Sequence, residues 1–221
     1  MTLSVIIPAL NAAGDIVQTI ASVAGASEVI VADGGSDDAT CDVAGRAGAK
    51  IIKCERGRGV QLVAGAREAT GHWLLFLHAD TCLGAGWLAE TKMFMADPLN
   101  AERAGVFRFS LDDESAQARR LEKIVTWRSR VLGLPYGDQG LLISRAYYNR
   151  IGGFREMPIM EDVDLVRRIG RDRIIQFESW ARTSAARWRH DGWRARSLRN
   201  VACLTLYFLG VPVKVIQRIY G

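Results

Sequence analysis

With 221 residues, 49% of them apolar and 24% charged, the chain has the size and balance of one globular domain with a full hydrophobic core. The four cysteines at 41, 54, 82 and 203, with no CxxC pair, exclude a disulfide or zinc framework and read as reduced thiols of a cytoplasmic protein. The net charge of +5 is lopsided, because residues 181–221 carry eight Lys/Arg against one acid, Asp191. A basic end of this kind suits anionic phosphates, nucleic acid or anionic lipid.

The opening MTLSVIIPAL has no basic stretch and too short an apolar run for a signal peptide. Taken in chain order, the first half alternates apolar runs with helical spacing. Strands are predicted over Leu3–Pro8, Glu28–Ala32, Ala49–Cys54 and His72–Leu77, with helices over Asp15–Ala24, Asp38–Ala47, Gly59–Thr70 and Gly86–Met95. That alternation implies a parallel sheet with helices on both faces. Beyond it the pattern predicts a strand at Gly105–Leu111, a long helix at Glu114–Leu132, a loop at Gly133–Gly140 and a charged helix over Met160–Gly170. The segment PLNAER, 98–103, marks a seam between a nucleotide-binding half, 1–97, and a second half, 104–221, within one domain. Residues 200–213, NVACLTLYFLGVPV, are uncharged and too short to span a bilayer alone.

Ligands of open parallel sheets sit outside the carboxyl ends of the strands, so the residues there carry the functional reading. Pro8 and Asn11 follow the first strand, Asp33, Ser36, Asp37 and Asp38 the second, and His78 and Asp80 the fourth. No GxGxxG follows the first strand, so a dinucleotide cradle is missing. Asp33 is a candidate for a nucleoside hydroxyl or base, or a turn residue, and Asp38 is a candidate cap of the next helix. Asp80 suits a hard divalent ion that takes its other ligands from a diphosphate and water. Glu161 and Asp162 open a helix, where the macrodipole favours acids. Asp138 and Gln139 lie between glycines, which let backbone approach a ligand. Arg58, Arg187 and Arg189 offer guanidinium forks to phosphate. Trp188 sits among them, although tryptophans more often pack cores.

These pieces, in order, resemble family 2 glycosyltransferases of the GT-A fold. The matching stretches are SVIIPALN, EVIVADGGSDDAT, GRGVQLVAGAREATGHWLLFLHADT, YGDQGLLISRAYYNRIGGF and MEDVDLVRRI. Within that family the chain is most similar to a small bacterial group associated with radical-SAM and selenium-related genes. The resemblance implies a Rossmann-like, mainly parallel α/β sheet and a helical C-terminal region. It implies an inverting transferase that uses a nucleotide-diphosphate sugar, with a divalent ion, Mn2+ or Mg2+. Asp33 would hold the nucleoside with Pro8, Asn11, Asp38 and Arg58 nearby. Asp80, with His78 in place of the first acid of a DxD motif, would meet the metal. Asp162 would be the base on the acceptor hydroxyl, with Gly137, Asp138, Gln139 and Glu161 on the acceptor side and Arg187 and Trp188 at the phosphates. The chain departs from the family at Ala12, where a Glu is usual, and ARWRH has no Gln to complete a QxxRW motif.

Two other classes compete with this reading. A sugar nucleotidyltransferase would want a basic first loop, and PALNAAGD has no Lys or Arg. A non-catalytic nucleotide-binding or membrane-docking module would bind nucleotide without turnover. The basic C-terminal end points to a peripheral position on an anionic membrane and a lipid-linked acceptor, with no nucleic acid partner.

Overall fold

The computed structural model describes residues 1–220. Its first half lays down β1 (Leu3–Ala9), α1 (Ile16–Ser22), β2 (Glu28–Asp33), α2 (Thr40–Arg46), β3 (Lys50–Lys53), α3 (Arg58–Glu68) and β4 (Trp73–Phe76). The four strands are parallel. Each falls within a residue or two of its sequence-based bounds; β1, β2 and β4 are the near-continuous apolar runs that strands covered on both faces require, while β3 is an edge strand flanked by exposed lysines. Glycine sets the distance of α3 from the sheet: a side chain at Gly65 would strike Ile6. Buried Gln61, on the same helix, donates Nε2–H to the Ala9 and Ala32 carbonyls at 2.7 and 2.9 Å. It thereby ties the ends of β1 and β2 together.

The second half contributes β5 (Thr81–Leu83), α4 (Trp87–Ala96), β6 (Ala104–Leu111), α5 (Ala116–Leu132), β7 (Leu141–Ser144), α6 (Arg145–Arg150) and α7 (Glu161–Ile169). It ends in β8 (Ile174–Thr183), α8 (Ala186–Asp191), α9 (Trp193–Phe208) and α10 (Val213–Tyr220). All eight strands form one sheet in the order β3-β2-β1-β4-β7-β6-β8-β5. β7 runs antiparallel to both β4 and β6, and β5 antiparallel to β8. The sheet is therefore mixed, mainly parallel and continuous across the 98–103 seam, where Pro98–Asn100 forms one turn of 3-10 helix. The sequence reading did not place β5, β7 or β8. The first two, at three and four residues, are too short for any period to show.

Both faces of the sheet are covered. Trp73, Leu75, Phe94, Phe107 and Phe177 pack on one, and Leu74, Phe76, Tyr148 and Phe154 on the other. Phe94 meets Trp73 and Phe177 edge-on, with centroids 5.7 and 5.3 Å apart, the arrangement aromatic quadrupoles favour. The uncharged run 200–213 is divided at Gly210, whose φ of 80° suits a residue without Cβ, so it forms a helical hairpin. Cys203 and Ile216 of that hairpin pack in one cluster with Met160, Val163 and Val166 of the α7 region and with Leu134. Of the four cysteines only Cys203 is fully buried, and none is paired.

Candidate active site

Two loops are laced together outside β1 and β2. Asn11 N–H donates to Ser36 Oγ (2.9 Å), Asp37 N–H to Asn11 Oδ1 (2.9 Å) and Ala13 N–H to Asp38 Oδ2 (3.2 Å). Asn11 adopts a φ of 49°, a conformation Asn tolerates better than most residues. Pro8 lies beyond the last β1–β4 register pair, Ile6↔Phe76, so its missing N–H leaves no ladder bond unmade. Asp33 is buried. Its Oδ2 accepts from the Gly35 and Ser36 N–H groups at 3.0 Å each, and its Oδ1 from the Ser36 hydroxyl. Burial opposes the charge, but these bonds outweigh it and hold the carboxyl below its ordinary range. Asp38 accepts from Thr40 N–H at 2.9 Å, two residues on, so it organises the turn before α2 in the manner of an Asx turn.

Outside β4 the backbone turns at His78–Asp80. The Ala79 carbonyl accepts from Thr19 Oγ1 of α1 (2.8 Å) and the Asp80 carbonyl from Ser184 N–H (3.0 Å). The segment after β8 is thus bound to the Asp80 turn, which places Arg187, near the start of α8, at the same rim. Asp15, an acid to which the sequence reading gave no role beyond starting a helix, also lies there. Burial and then the negative charge of Asp80 raise its pKa.

Antiparallel β7 supplies the third wall. Its first residue, Leu141, pairs with Phe76, so the 3-10 turn Gly137–Gln139 before it lands at the carboxyl end of β4. Gly137 packs against His78 so closely that a Cβ there would lie 2.6 Å from the imidazole Nε2. Its N–H donates to Asp162 Oδ2 at 2.9 Å, while Asp162 Oδ1 accepts from Val163 N–H at 2.7 Å. Gln139 faces inward. Its Oε1 accepts from Ser129 Oγ (2.7 Å) and its Nε2 donates to the Phe107 carbonyl (3.0 Å). It anchors the turn and is not presented to the cleft.

Electrostatically the site is a cluster of acids with few cations. Burial, together with Asp162 and Asp80, lifts Asp138 to about 6 against the opposing charge of Arg128, and its Oδ1 has no hydrogen-bond partner among the described residues. Glu161 is 1% exposed, its Oε1 is unpartnered, and Arg58 Nε stands 3.6 Å from it. Burial raises its pKa to about 7 even with Arg58 beside it. Burial and the charges of Arg58 and Arg187 hold His78 well below its usual value, so its imidazole is neutral. Arg128, which the sequence did not mark, stacks 3.3 Å over the Tyr136 ring and donates Nε–H to the Leu134 carbonyl at 2.9 Å. Asp164 pairs instead with Arg155 and Arg168. Trp188 stacks on Trp193, Arg189 pairs with Asp112 and Asp113, and His190 is exposed beside Asp191. Those three contacts belong to packing and surface.

A pocket lined by His78, Tyr136, Gly137, Glu161 and Asp162 opens below the rim onto Leu62, Phe76 and Phe154, and its free volume of about 20 Å³ holds about one water. No group of three or more His, Cys, Asp or Glu converges on a metal position among the described residues. The donor set nonetheless fits a hard divalent ion of the kind bound through one or two carboxylates and substrate phosphates. Asp80 is partly exposed, has no ion-pair partner among the described residues, and lies close enough to Asp138 and Asp15 to raise both.

Comparison with known proteins gives this rim a context. Solved structures share the fold. Staphylococcus aureus TarS matches with a TM-score of 0.65 at 16% identity, over 93% of this chain and 40% of that one. Glucosyl-3-phosphoglycerate synthase from Mycobacterium tuberculosis with Mg2+ and uridine diphosphate matches with a TM-score of 0.65 at 21% identity, over 96% and 80%. The same enzyme with Mn2+, UDP-glucose and phosphoglyceric acid gives 0.61 at 20% identity, over 96% and 80%. At these identities the likeness is one of fold, the GT-A type, and the chain spans less than half the length of TarS. Comparison with curated protein sequences returns no match. The family model described as glycosyl transferase family 2 matches residues 4–157, which take in the rim from Pro8 through Gln139, and the chain belongs to that family.

Proposed function

We propose that the protein is an inverting glycosyltransferase that moves a hexose from a nucleotide-diphosphate sugar to an acceptor hydroxyl, with Asp162 as the general base. The observation that carries this reading is the meeting of three elements at one rim: the end of β8 bonds to the carbonyls of both Asp80 and Asp138 through Ser184 N–H and Thr183 Oγ1, and the Asp138 turn donates Gly137 N–H to Asp162. The relatives whose structures hold uridine diphosphate with Mn2+ or Mg2+ make a uridine nucleotide the first donor to try.

Each residue then has a task set by its surroundings. Asp162 has one oxygen on Gly137 N–H and the other on Val163 N–H. Those bonds aim its carboxylate and leave lone pairs free for the acceptor proton, the geometry a general base needs. Glu161, raised to about 7, is substantially protonated near neutral pH and adds little repulsion to that carboxylate. Asp80, with neutral His78 beside it, would hold Mn2+ or Mg2+ together with the donor diphosphate. Such an ion supplies charge stabilisation to the leaving diphosphate. Arg187 and Arg58 add positive charge at the same end. Pro8, Asn11, Asp33 and Asp38 shape the nucleoside edge through the laced loops, Asp33 by holding its own turn. The acceptor side comprises Gly137, Asp138 and Glu161, with Gln139 anchoring their turn from the core, and the proposed acceptor is a lipid-linked hydroxyl at the membrane surface. No described helix is long and apolar enough to cross a membrane.

The test compares Asp162→Asn and Asp80→Asn, using UDP-glucose hydrolysis as the turnover assay and UDP binding with Mn2+ as the affinity assay. Asp162→Asn lowers turnover about 100- to 10,000-fold and leaves UDP affinity intact, whereas Asp80→Asn weakens Mn2+-dependent UDP binding as well. Undiminished turnover in folded Asp162→Asn would remove it from the chemistry. Nucleotide binding with no turnover of any donor would favour the non-catalytic module.

A further inference from the structure

The segment Trp193–Tyr220 contains five Lys/Arg and no acid. Two of the five are spent internally, with Arg196 and Arg199 both reaching Asp191 (2.7 and 3.5 Å). Arg194, Lys214 and Arg218 are exposed and have no ion-pair partner among the described residues. The apolar side chains of the same helices are divided in an unusual way. Cys203 and Ile216 face inward onto α7 and Leu134. Leu198 is 71% exposed, Val201 62%, Leu209 75% and Ile219 46%, with Phe208 and Val215 also open. On α9 the exposed positions 194, 198, 201, 205 and 208 follow helical spacing, so they make one stripe that starts on an arginine and continues mostly in apolar residues. A soluble surface seldom shows so many large apolar side chains together unless they meet something.

We propose that the α9–α10 hairpin is a membrane-docking surface. Its apolar stripe enters the headgroup region of an anionic bilayer, and Arg194, Lys214 and Arg218 pair with lipid phosphates. The chemistry matches helices that lie in the interface, apolar on one side with basic residues alongside and no acid. The position matches the function proposed above, on which the acceptor part of this inference rests. The hairpin packs in one cluster with Met160, Tyr136 and Val163, and Tyr220 at its end packs against the same cluster. The element that would touch the bilayer is therefore also a wall of the acceptor side. A hydroxyl carried on a lipid phosphate would reach Asp162 without leaving the membrane surface.

The experiment is vesicle sedimentation of the full chain, with phosphatidylcholine alone and with phosphatidylcholine mixed with phosphatidylglycerol, at low and high salt. The expected result is binding to the anionic vesicles that weakens with salt. Arg194→Gln/Lys214→Gln/Arg218→Gln lowers the partition coefficient about 100-fold, at roughly 1 kcal/mol per basic residue. Leu198→Ser/Leu209→Ser lowers it at least about tenfold, with circular dichroism showing both variants folded. Absence of binding to anionic vesicles, or binding that neither variant changes, overturns the proposal. So does a concentration-dependent dimer that Leu198→Ser/Leu209→Ser abolishes in a protein that ignores lipid, because the stripe would then be a contact between copies. Turnover and vesicle binding measured together on the parent chain separate the two readings. Vesicle binding with no turnover in the parent chain sinks the enzyme and leaves the docking surface standing, and turnover without vesicle binding does the reverse.

Discussion

Gly137→Ala is the sharpest perturbation the structure offers, because it adds one methyl group at the point where two walls of the site meet. The new Cβ would lie 2.6 Å from His78 Nε2, against roughly 3.4 Å for ordinary contact, so something must move by about 0.8 Å. Gly137 does not have a positive φ, so alanine meets no backbone penalty and the whole effect is steric. The imidazole is poorly placed to yield, since it sits at the end of β4 behind fully buried Leu77. If the turn yields instead, the Gly137 N–H bond to Asp162 stretches from 2.9 Å beyond hydrogen-bonding range and Asp162 loses one of its two orienting donors. Overpacking of this size costs about 1–3 kcal/mol of stability, and misplacing a reacting group by about 1 Å costs on the order of 100-fold in rate. The expected result is a folded protein with a lowered Tm, a kcat for UDP-glucose hydrolysis reduced about 30- to 100-fold, and nearly unchanged UDP affinity. Removing the clash from the other side provides the check. In a His78→Ala background, Gly137→Ala should lose most of its effect on stability, a coupling that a double-mutant cycle measures. A folded Gly137→Ala enzyme with kcat within about twofold of the parent would refute the argument, since by the displacement rule it should lose far more.

Three other outcomes follow from the same geometry. Glu161 binds its proton up to about pH 7 in the folded state, against 4.5 for the ordinary group, so between those values the folded state holds more protons than the unfolded one. Stability contributed by this group therefore falls as pH rises from about 4.5 to 7, and Glu161→Gln should flatten that part of a Tm-against-pH curve; a slope left unchanged would place the titration elsewhere. Gln61→Leu removes the donor to the Ala9 and Ala32 carbonyls and should cost about 1–3 kcal/mol in urea unfolding, with a loss below about 0.5 kcal/mol showing that the bonds add little. Gly59→Ala should displace the 155–157 segment, because its Cβ would lie 2.6 Å from Met157 N, and so should raise the susceptibility of that loop to protease without altering far-UV dichroism.

How much of this was legible in the sequence divides along physical lines. β1 and β4 could be read because a strand buried on both faces is almost continuously apolar, as LSVIIPA, with its single serine, and WLLF are. The rim acids could be read because the carboxyl end of such a strand is where a parallel sheet places its ligands. β8 could in principle have been read, since the outer part of QFESWART alternates buried and exposed residues, but charged neighbours masked the period. The partners of the rim acids could not be read at all. Arg128 is one of several arginines on an amphipathic helix, and nothing local distinguishes the one that stacks on Tyr136. Asp15 precedes a helix as many aspartates do, and its closeness to Asp80 arises from contacts 60 residues apart, such as Thr19 to the Ala79 carbonyl. The run 200–213 looked uniform because hydropathy does not say which side of a helix is covered. In the fold Cys203 is buried while Leu209 is exposed.

The reversal of β7 explains why the two halves of the site meet. In a purely parallel sheet every strand delivers its C-terminal end to the ligand rim, and the residue before each strand lies at the opposite edge. Running β7 antiparallel beside β4 inverts this for one strand, so the turn Gly137–Gln139, which precedes β7, arrives beside His78, which follows β4. The base then needs only to be brought to that turn. Met160 does this by adopting φ 65°, a left-handed conformation that costs a non-glycine residue roughly 1–3 kcal/mol. It starts α7 at an angle that aims Asp162 at the Gly137 N–H. The cost is offset by packing, since Met160 is buried with Leu134, Cys203 and Ile216, the last two from the α9–α10 hairpin. The nucleotide edge is thus held by hydrogen bonds between adjacent loops, and the acceptor edge by an apolar cluster supplied from the far end of the chain. Loosening that cluster with Cys203→Ser or Ile216→Ala should therefore reduce turnover through Asp162 while leaving nucleotide affinity in place.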